Sequence, residues 1–355
     1  MINLIKYRYW YFAFSLLIIV PGAIFLAAGG LKAGIDFTGG TELTFSFPGT
    51  PASATLEKQL RDAATKNAKL SEAEVVAATR IGGQASGSAR YLVRIPFIGN
   101  DPQKLAQLEA PLYTAYGCGT TLVHLQGDLL RVPLPKCPKV SLDEQNDVGP
   151  TIGAQIRSRA TYAVVVAAVF ILLYISFAFR KVAHPFRYGT CAIVALLHDV
   201  LVVLGLFAIL GKLFSVTVDS LFVTAVLTVI GFSVHDTIVI FDRIRENMSR
   251  RIGEPFELVV NNAILQSMAR SLNTSLTVLM TLTALLIYGG ASIRIFVLAL
   301  LIGITSGTYS SIFNASPLLV VWEYDELGIG RFLKGLRGRK KPPAGRVRPT
   351  TANAR

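Results

Sequence analysis

The chain reads as a polytopic α-helical membrane protein of six spanning helices, with one α+β, ferredoxin-like extracytoplasmic domain between helices 1 and 2. Three observations predict this. Six apolar stretches are each long enough to cross a bilayer. Charged residues make up only 16% of a chain that is 52% hydrophobic, against roughly 25% in a soluble domain. The basic residues fall between the apolar runs, and fall unevenly.

A hydrocarbon core of about 30 Å needs about 20 mostly apolar residues as helix. Runs of that kind cover 10–28, 160–178, 189–210, 220–241, 272–288 and 295–322. The first follows Lys6 and Arg8 and ends in Ala27-Ala28-Gly29-Gly30, features that a cleaved signal peptide shares. It is long for a signal's apolar region, and we take it as a retained helix. Lys and Arg in short loops hold the flanking helix ends on the cytoplasmic side. Arg180, Lys181 and Arg187 follow the second run, Arg243, Arg245, Arg250 and Arg251 the fourth, and a basic tail the sixth, whereas the alternate short loops hold little more than Lys212 and Arg294. Both termini are therefore expected in the cytoplasm and the long segment after the first helix outside. The implied division is an N-terminus at 1–9, a first helix at 10–29, an outer domain at 30–159, helices two to six within 160–322, and a basic tail at 323–355.

The outer segment alternates by element. Residues 41–47 alternate like a strand, and 51–66 carry Leu56, Leu60 and Ala63 at helical spacing. Two strand-like pieces follow, 74–80 and 90–96, about a Gly-rich turn at 82–87. Residues 101–116 place Leu105, Leu108 and Leu112 on one helical face, and 120–134 return to strand. The order βαββαβ suggests the ferredoxin-like sandwich. Residues 140–147, with Asp143 to Asn146 all charged or amide, make a poor strand. Cys118 and Cys137 share this domain, where an oxidising compartment permits a disulfide and free thiols are an equal alternative. Cys191 lies in an apolar run as a small packing residue.

A net charge of +13 and pI of about 9.8 do not indicate nucleic-acid binding, because the charges sit between apolar runs and form no basic face on a soluble fold. The three cysteines have no metal-ligand spacing, and no metal site, phosphate loop or nucleophile elbow is present in the pattern.

Ionisable groups inside a bilayer are costly, and are usually paired or placed on an ion path. The third run contains His198-Asp199 and the fourth His235-Asp236. Asp199 lies about 15 Å along its helix from 189 at 1.5 Å per residue, near the midplane. Antiparallel neighbours place Asp236 and Arg270 at similar depth, where the two can form a proton relay or a static ion pair. A histidine titrates near neutral pH and can pass a proton, and a neutral histidine bonded across helices is an equally good reading. Gly34-Ile35-Asp36-Phe37-Thr38-Gly39-Gly40, just after the first helix, reads as a tight loop.

Taken together, GIDFTGGTEL at 34–43, VGPTIG at 148–153, ALLHDVLVVLGLFAI at 195–209, VIGFSVHDTIVIFDRIREN at 229–247 and ARSLNTSLT at 269–277 resemble the SecD/SecF family of RND-type membrane proteins over nearly the whole chain. The resemblance implies a partner SecD, association with the SecYEG channel, YajC as a further candidate partner and contact with translocating preprotein; the basic tail from Arg331 adds membrane lipids as a contact, and the placement of charge argues for no nucleic acid. The resemblance further implies residence in the cytoplasmic (inner) membrane and use of the proton gradient to promote preprotein export, with no bond-making catalysis and no cofactor; sodium as coupling ion stays open. The proton-coupling candidates are then Asp236, Arg270, Asp199, His235 and His198, with Gly34, Asp36, Gly39 and Gly40 as the outer-loop motif. His235 stands where the resemblance leads one to expect Asn, so no role is carried over to it. The competing class is a half-size RND-type exporter of small solutes or ions, which should carry two large outer loops and about twelve helices per chain.

Overall fold

A computed structural model describes residues 3–48, 55–56, 58–59, 61–62, 76–83, 88–99, 101–117, 120–125, 128–133, 140–180, 185–250, 253–324 and 326. Cys118 and Cys137, the tip of the 82–87 turn, most of the 51–66 helix and nearly all of the basic tail lie outside these residues. Within 51–66, the described positions have helical backbone.

The chain is a multi-pass membrane protein: among the described residues six helical stretches are long and apolar enough to span a bilayer. They are built from α1 (Arg8–Gly29), α4 (Pro150–Ala178), α5 (Pro185–Phe214), α6 (Ser220–Arg250), α7 (Phe256–Tyr288) and α8 (Arg294–Ser310), the last continued by a π-helical turn, Ser311–Ala315, and α9 (Ser316–Glu323). The shorter helices α2 (Ile35–Thr38) and α3 (Pro102–Ala115), besides the partly described helical stretch within 51–66, lie between α1 and α4. Helix α6 runs past the apolar limit at 241, and α7 begins well before 272. In α6 the extra turns are charged and paired at helical spacing, Arg245 to Asp242 and both Arg243 and Arg250 to Glu246. Hydropathy marks the span within a helix and not the helix itself.

Helices α5, α6 and α8 form the centre, with half or more of each apolar stretch buried, whereas α1, α4 and α7 bury only 6–17% of theirs and lie at the periphery. The core between them includes Val203, Phe207, Phe222, Val229, Ile240 and Phe241. At the crossing of α1 and α5 a Cβ on Gly22 would stand 2.8 Å from the Gly205 Cα, so the backbones touch there.

The sheet domain contains β1 (Gly40–Pro48), β2 (Val76–Gly83), β3 (Ser88–Ile95), β4 (Thr120–Leu125), β5 (Asp128–Pro133) and β6 (Ser141–Val148). Four strands form one sheet in the order β2-β3-β1-β6, every neighbouring pair antiparallel. This is the strand order expected of a ferredoxin-like sandwich, with β1 in register with β3 from Thr41↔Ile95 to Pro48↔Ser88. Alternate residues of β1, Leu43, Phe45 and Phe47, point into a core with Tyr91, Val93, Leu108 and Leu112. Asp101 caps α3 by accepting from the Gln103 and Lys104 amides.

One expectation is corrected. Residues 120–134 do not supply the last strand of the sheet; they form a separate β4–β5 hairpin packed on α3. The last strand is Ser141–Val148, the segment that looked too polar. It is an edge strand, and polar side chains suit an edge because they discourage pairing with other chains. Here they also bond inward to the sheet: Asp143 accepts from Ser46 at 2.6 Å and Arg90 at 3.1 Å, and Asp147 accepts from Thr41.

Candidate functional site: two buried carboxylates and an outer clamp

Asp199 lies near the middle of α5 and is 1% exposed. Its carboxylate is the meeting point of three central helices. Oδ2 accepts from Ser233 of α6 at 2.5 Å and Ser310 of α8 at 2.7 Å; Oδ1 accepts from Ser306 of α8 at 2.7 Å and lies 2.9 Å from His198 Nδ1. Ser306 and Ser310 are four residues apart and so share one helical face. Gly307 lies between them against Ser233, where a Cβ would meet the Ser233 Cβ at 3.1 Å, and this lets α8 approach α6 closely. The π-helical turn begins immediately after Ser310, and Ser311 bonds with Thr237 at 2.9 Å. Such turns often mark functional positions in helices.

Asp236 sits one helical turn from Ser233 and is buried at 3% exposure, but its surroundings differ. Oδ2 has no hydrogen-bond partner among the described residues, nor does the buried Ser271 hydroxyl of α7, although it lies near the carboxylate. The Asp236–Arg270 pair suggested by depth does not form. Ser271 and Arg270 are successive and so lie roughly 100° apart around α7, and the chain buries Ser271 and leaves Arg270 exposed. Arg270 instead lines a cavity of about 360 Å³ with Ile238, Val239, Asp242, Glu246 and Ser267. The ion pairs at this end join Arg243 and Arg250 to Glu246 and Arg245 to Asp242, and Arg270 takes part in none of them. His235 is exposed on α6, whereas His198 is mostly covered beside Asp199.

At the other end of the bundle, the outer-loop motif is clamped to the start of α6. Asp36 Oδ2 accepts from the Ser220 amide at 2.8 Å, and Asp219 Oδ1 accepts from the Phe222 amide at 2.9 Å. Burial holds the Asp219 carboxyl above the usual range, partly offset by that Phe222 N–H. Gly34 donates to the Val218 carbonyl at 2.7 Å, and a Cβ at Gly34 would stand 2.9 Å from the same oxygen. Gly39 and Gly40, with φ of 77° and 137°, turn the chain into β1.

The structure thus brings His198 together with Asp199, and Asp36 with the head of α6, while it keeps Arg270 apart from Asp236. The serines around Asp199 were not found from sequence. Their only signal was the cluster of hydroxyl residues from Thr305 to Ser311 late in the sixth apolar run, within which Ser306 and Ser310 stand at the i, i+4 spacing of one helical face.

The fold and site define a class: a multi-pass helical membrane protein that buries carboxylates on adjacent central helices beneath one sheet domain. Residues 135–325 match the family model described as protein export membrane protein SecD/SecF, C-terminal. The chain is 50% identical over 329 residues to the protein translocase subunit SecF of Thermobaculum terrenum, covering 91% of this chain and 94% of that one. It is 34% identical to the protein translocase subunit SecDF of Thermus thermophilus, covering 88% of this chain and 37% of the longer one. A crystal structure of SecDF from Thermus, described as a translocon-associated membrane protein, superposes with a TM-score of 0.70 at 31% identity, over 91% of this chain and 39% of that one. The chain therefore spans about two-fifths of that solved structure. It belongs to the SecD/SecF family of protein-export membrane proteins.

Proposed function

We propose that this chain is a SecF-type accessory subunit of the Sec protein translocase, acting with SecD beside the SecYEG channel in the cytoplasmic membrane. It uses the proton gradient to promote preprotein export and carries out no bond-making catalysis. Both termini lie in the cytoplasm, and the sheet domain lies outside. The observation that carries the mechanism is Asp236, a buried carboxylate with an unpartnered oxygen, within one turn of a cavity that Arg270 lines. A buried acceptor without a partner is a place where a proton or cation can be taken up. Asp199, whose oxygens already accept from three serines, is suited to hold α5, α6 and α8 together around that event.

The test is preprotein export into proteoliposomes or vesicles at equal membrane levels of wild type and Asp236→Asn, with the gradient on and off. The variant should lose the gradient-dependent part of export and keep the ATP-driven part. Unchanged export would remove Asp236 from the coupling path. Replacing the proton gradient with a sodium gradient in the same assay identifies the ion.

A further inference from the structure

We propose that the 34–40 segment is the mechanical joint that carries movement of α6 to the sheet domain, with Asp36 as its positioning residue. The proposal rests on the ion-coupled function above, because α6 is the helix that bears Asp236.

The first amides of a helix have no partner inside it. At the head of α6 the Ser220 amide is met by Asp36, from a segment 184 residues away in sequence. A carboxylate there also suits the positive end of the helix dipole. The same segment is tied to the residues leading into α6 by backbone bonds, Gly34 N–H to the Val218 carbonyl at 2.7 Å and Val218 N–H to the Lys32 carbonyl at 2.8 Å. Ala33 and Val218 form a parallel bridge. Phe37 is buried in the core of the helical bundle, so α2 belongs mechanically to the membrane body.

Three residues after Phe37 the chain is already in the sheet, for Gly40 opens β1 and pairs with Val148 at the end of β6. The return crossing is as short: β6 ends at Val148 and α4 begins at Pro150. The two crossings touch. A Cβ at Gly39 would stand 2.8 Å from the Pro150 Cα, and one at Gly153 would stand 2.9 Å from the Gly39 nitrogen. Both covalent links between bundle and sheet therefore pass through one packed point, which is bonded to the head of α6. β1 is a central strand of its sheet, paired on both edges, so a displacement of α6 along its axis is delivered to the middle of the domain.

The experiment uses the full chain with its SecD partner in proteoliposomes, with spin labels at exposed Glu144 in β6 and Lys212 near the end of α5. The distance distribution between the labels is recorded with and without a proton gradient, and gradient-driven proton flux is measured in parallel. Wild type should show a gradient-dependent shift in distance. Asp36→Ala should abolish the shift and keep the flux, and Asp36→Asn, which retains an oxygen for the Ser220 amide, should keep both. If Asp36→Ala does not assemble, Gly34→Ala is read the same way, because its methyl would push against the Val218 carbonyl. A wild-type-like shift in Asp36→Ala overturns the joint while leaving the ion-coupled function standing. Loss of flux together with the shift also overturns it, because Asp36 would then serve the ion site. A wild type that shows neither response overturns the ion-coupled function, and the joint with it.

Discussion

Asp199 and Asp236 are both buried, but the chain treats them in opposite ways, and substitutions should reveal it. Removing the Asp199 carboxylate leaves Ser233 and Ser306 without their acceptor and Ser310 with only the Gly307 carbonyl at 3.2 Å. A buried polar group stripped of its partner costs about 1–3 kcal/mol, and partial re-pairing with helix carbonyls will recover some of that. Asp199→Ala should therefore lower stability by roughly 2–4 kcal/mol, seen as a clear fall in the thermal-inactivation midpoint of the detergent-solubilised chain. Asp236→Asn, at an oxygen that has no bond to lose, should leave that midpoint nearly unchanged while it affects coupling. The depth of Asp199 was legible in sequence from its distance into an apolar run. Its serine partners were not, because a serine in such a run has no direction until the helices are packed. In the sheet domain, burial pushes the Glu109 carboxyl of α3 up from 4.5 to about 7. Between those values the folded domain keeps a proton that the unfolded chain has released, so stability falls as pH rises across that window and levels off above it. The full effect is at most about 3 kcal/mol, at 1.36 kcal/mol per pH unit. Glu109→Gln should flatten this dependence and protect β1 and β3 at pH 8, as measured by hydrogen exchange corrected for its intrinsic pH dependence.

At the scale of elements, legibility followed the apolar pattern that each element must carry. The six spans were readable because each must be apolar throughout for about 20 residues, and β1 was readable because Leu43, Phe45 and Phe47 alternate into a core. β6 was misread because an edge strand with exposed side chains has no apolar pattern to offer. The π-helical turn at Ser311–Ala315 was invisible for a different reason: it is a change in hydrogen-bond register, which leaves no mark on composition. The crossing of α1 and α5 shows what small residues do at this scale. Gly22 and Gly205 face each other with no room for a Cβ on either, and the contact holds α1 where Ser15 can meet Asn314 and Tyr309 can donate to the Tyr11 carbonyl. Gly205→Leu should force α1 away, at a cost of about 1–3 kcal/mol from overpacking. A cysteine introduced at Ser15, which is buried in the folded chain, should become reactive to a thiol reagent in that variant and stay protected in the otherwise wild-type background.

For the whole molecule, the distribution of polar surface indicates that one side of the bundle is unfinished in a single chain. Thr224, Thr228, Gly231 and His235 form an exposed stripe on α6, and Arg270, Asn273, Thr274, Thr277 and Thr281 are exposed on α7. The threonines satisfy themselves by donating to the carbonyl one turn back, Thr228 to Thr224 and Thr277 to Asn273, for example. An arginine, an asparagine amide and a histidine at these depths are not met in that way, and facing lipid they would be costly. Small residues on such a stripe allow another helix to approach closely. The solved relative is more than twice as long as the part this chain matches, which leaves room for a second half to cover this side. Gly231 separates this reading from an ordinary lipid-facing surface, because a Cβ built there meets nothing within 4 Å in this chain. Gly231→Leu should therefore leave the chain's own level and thermal stability unchanged, yet reduce the amount of SecD that co-purifies with it several-fold. Undiminished co-purification would mean that the stripe faces lipid and that SecD docks elsewhere, whereas a fall in the chain's own stability would mean that Gly231 is packed within the subunit.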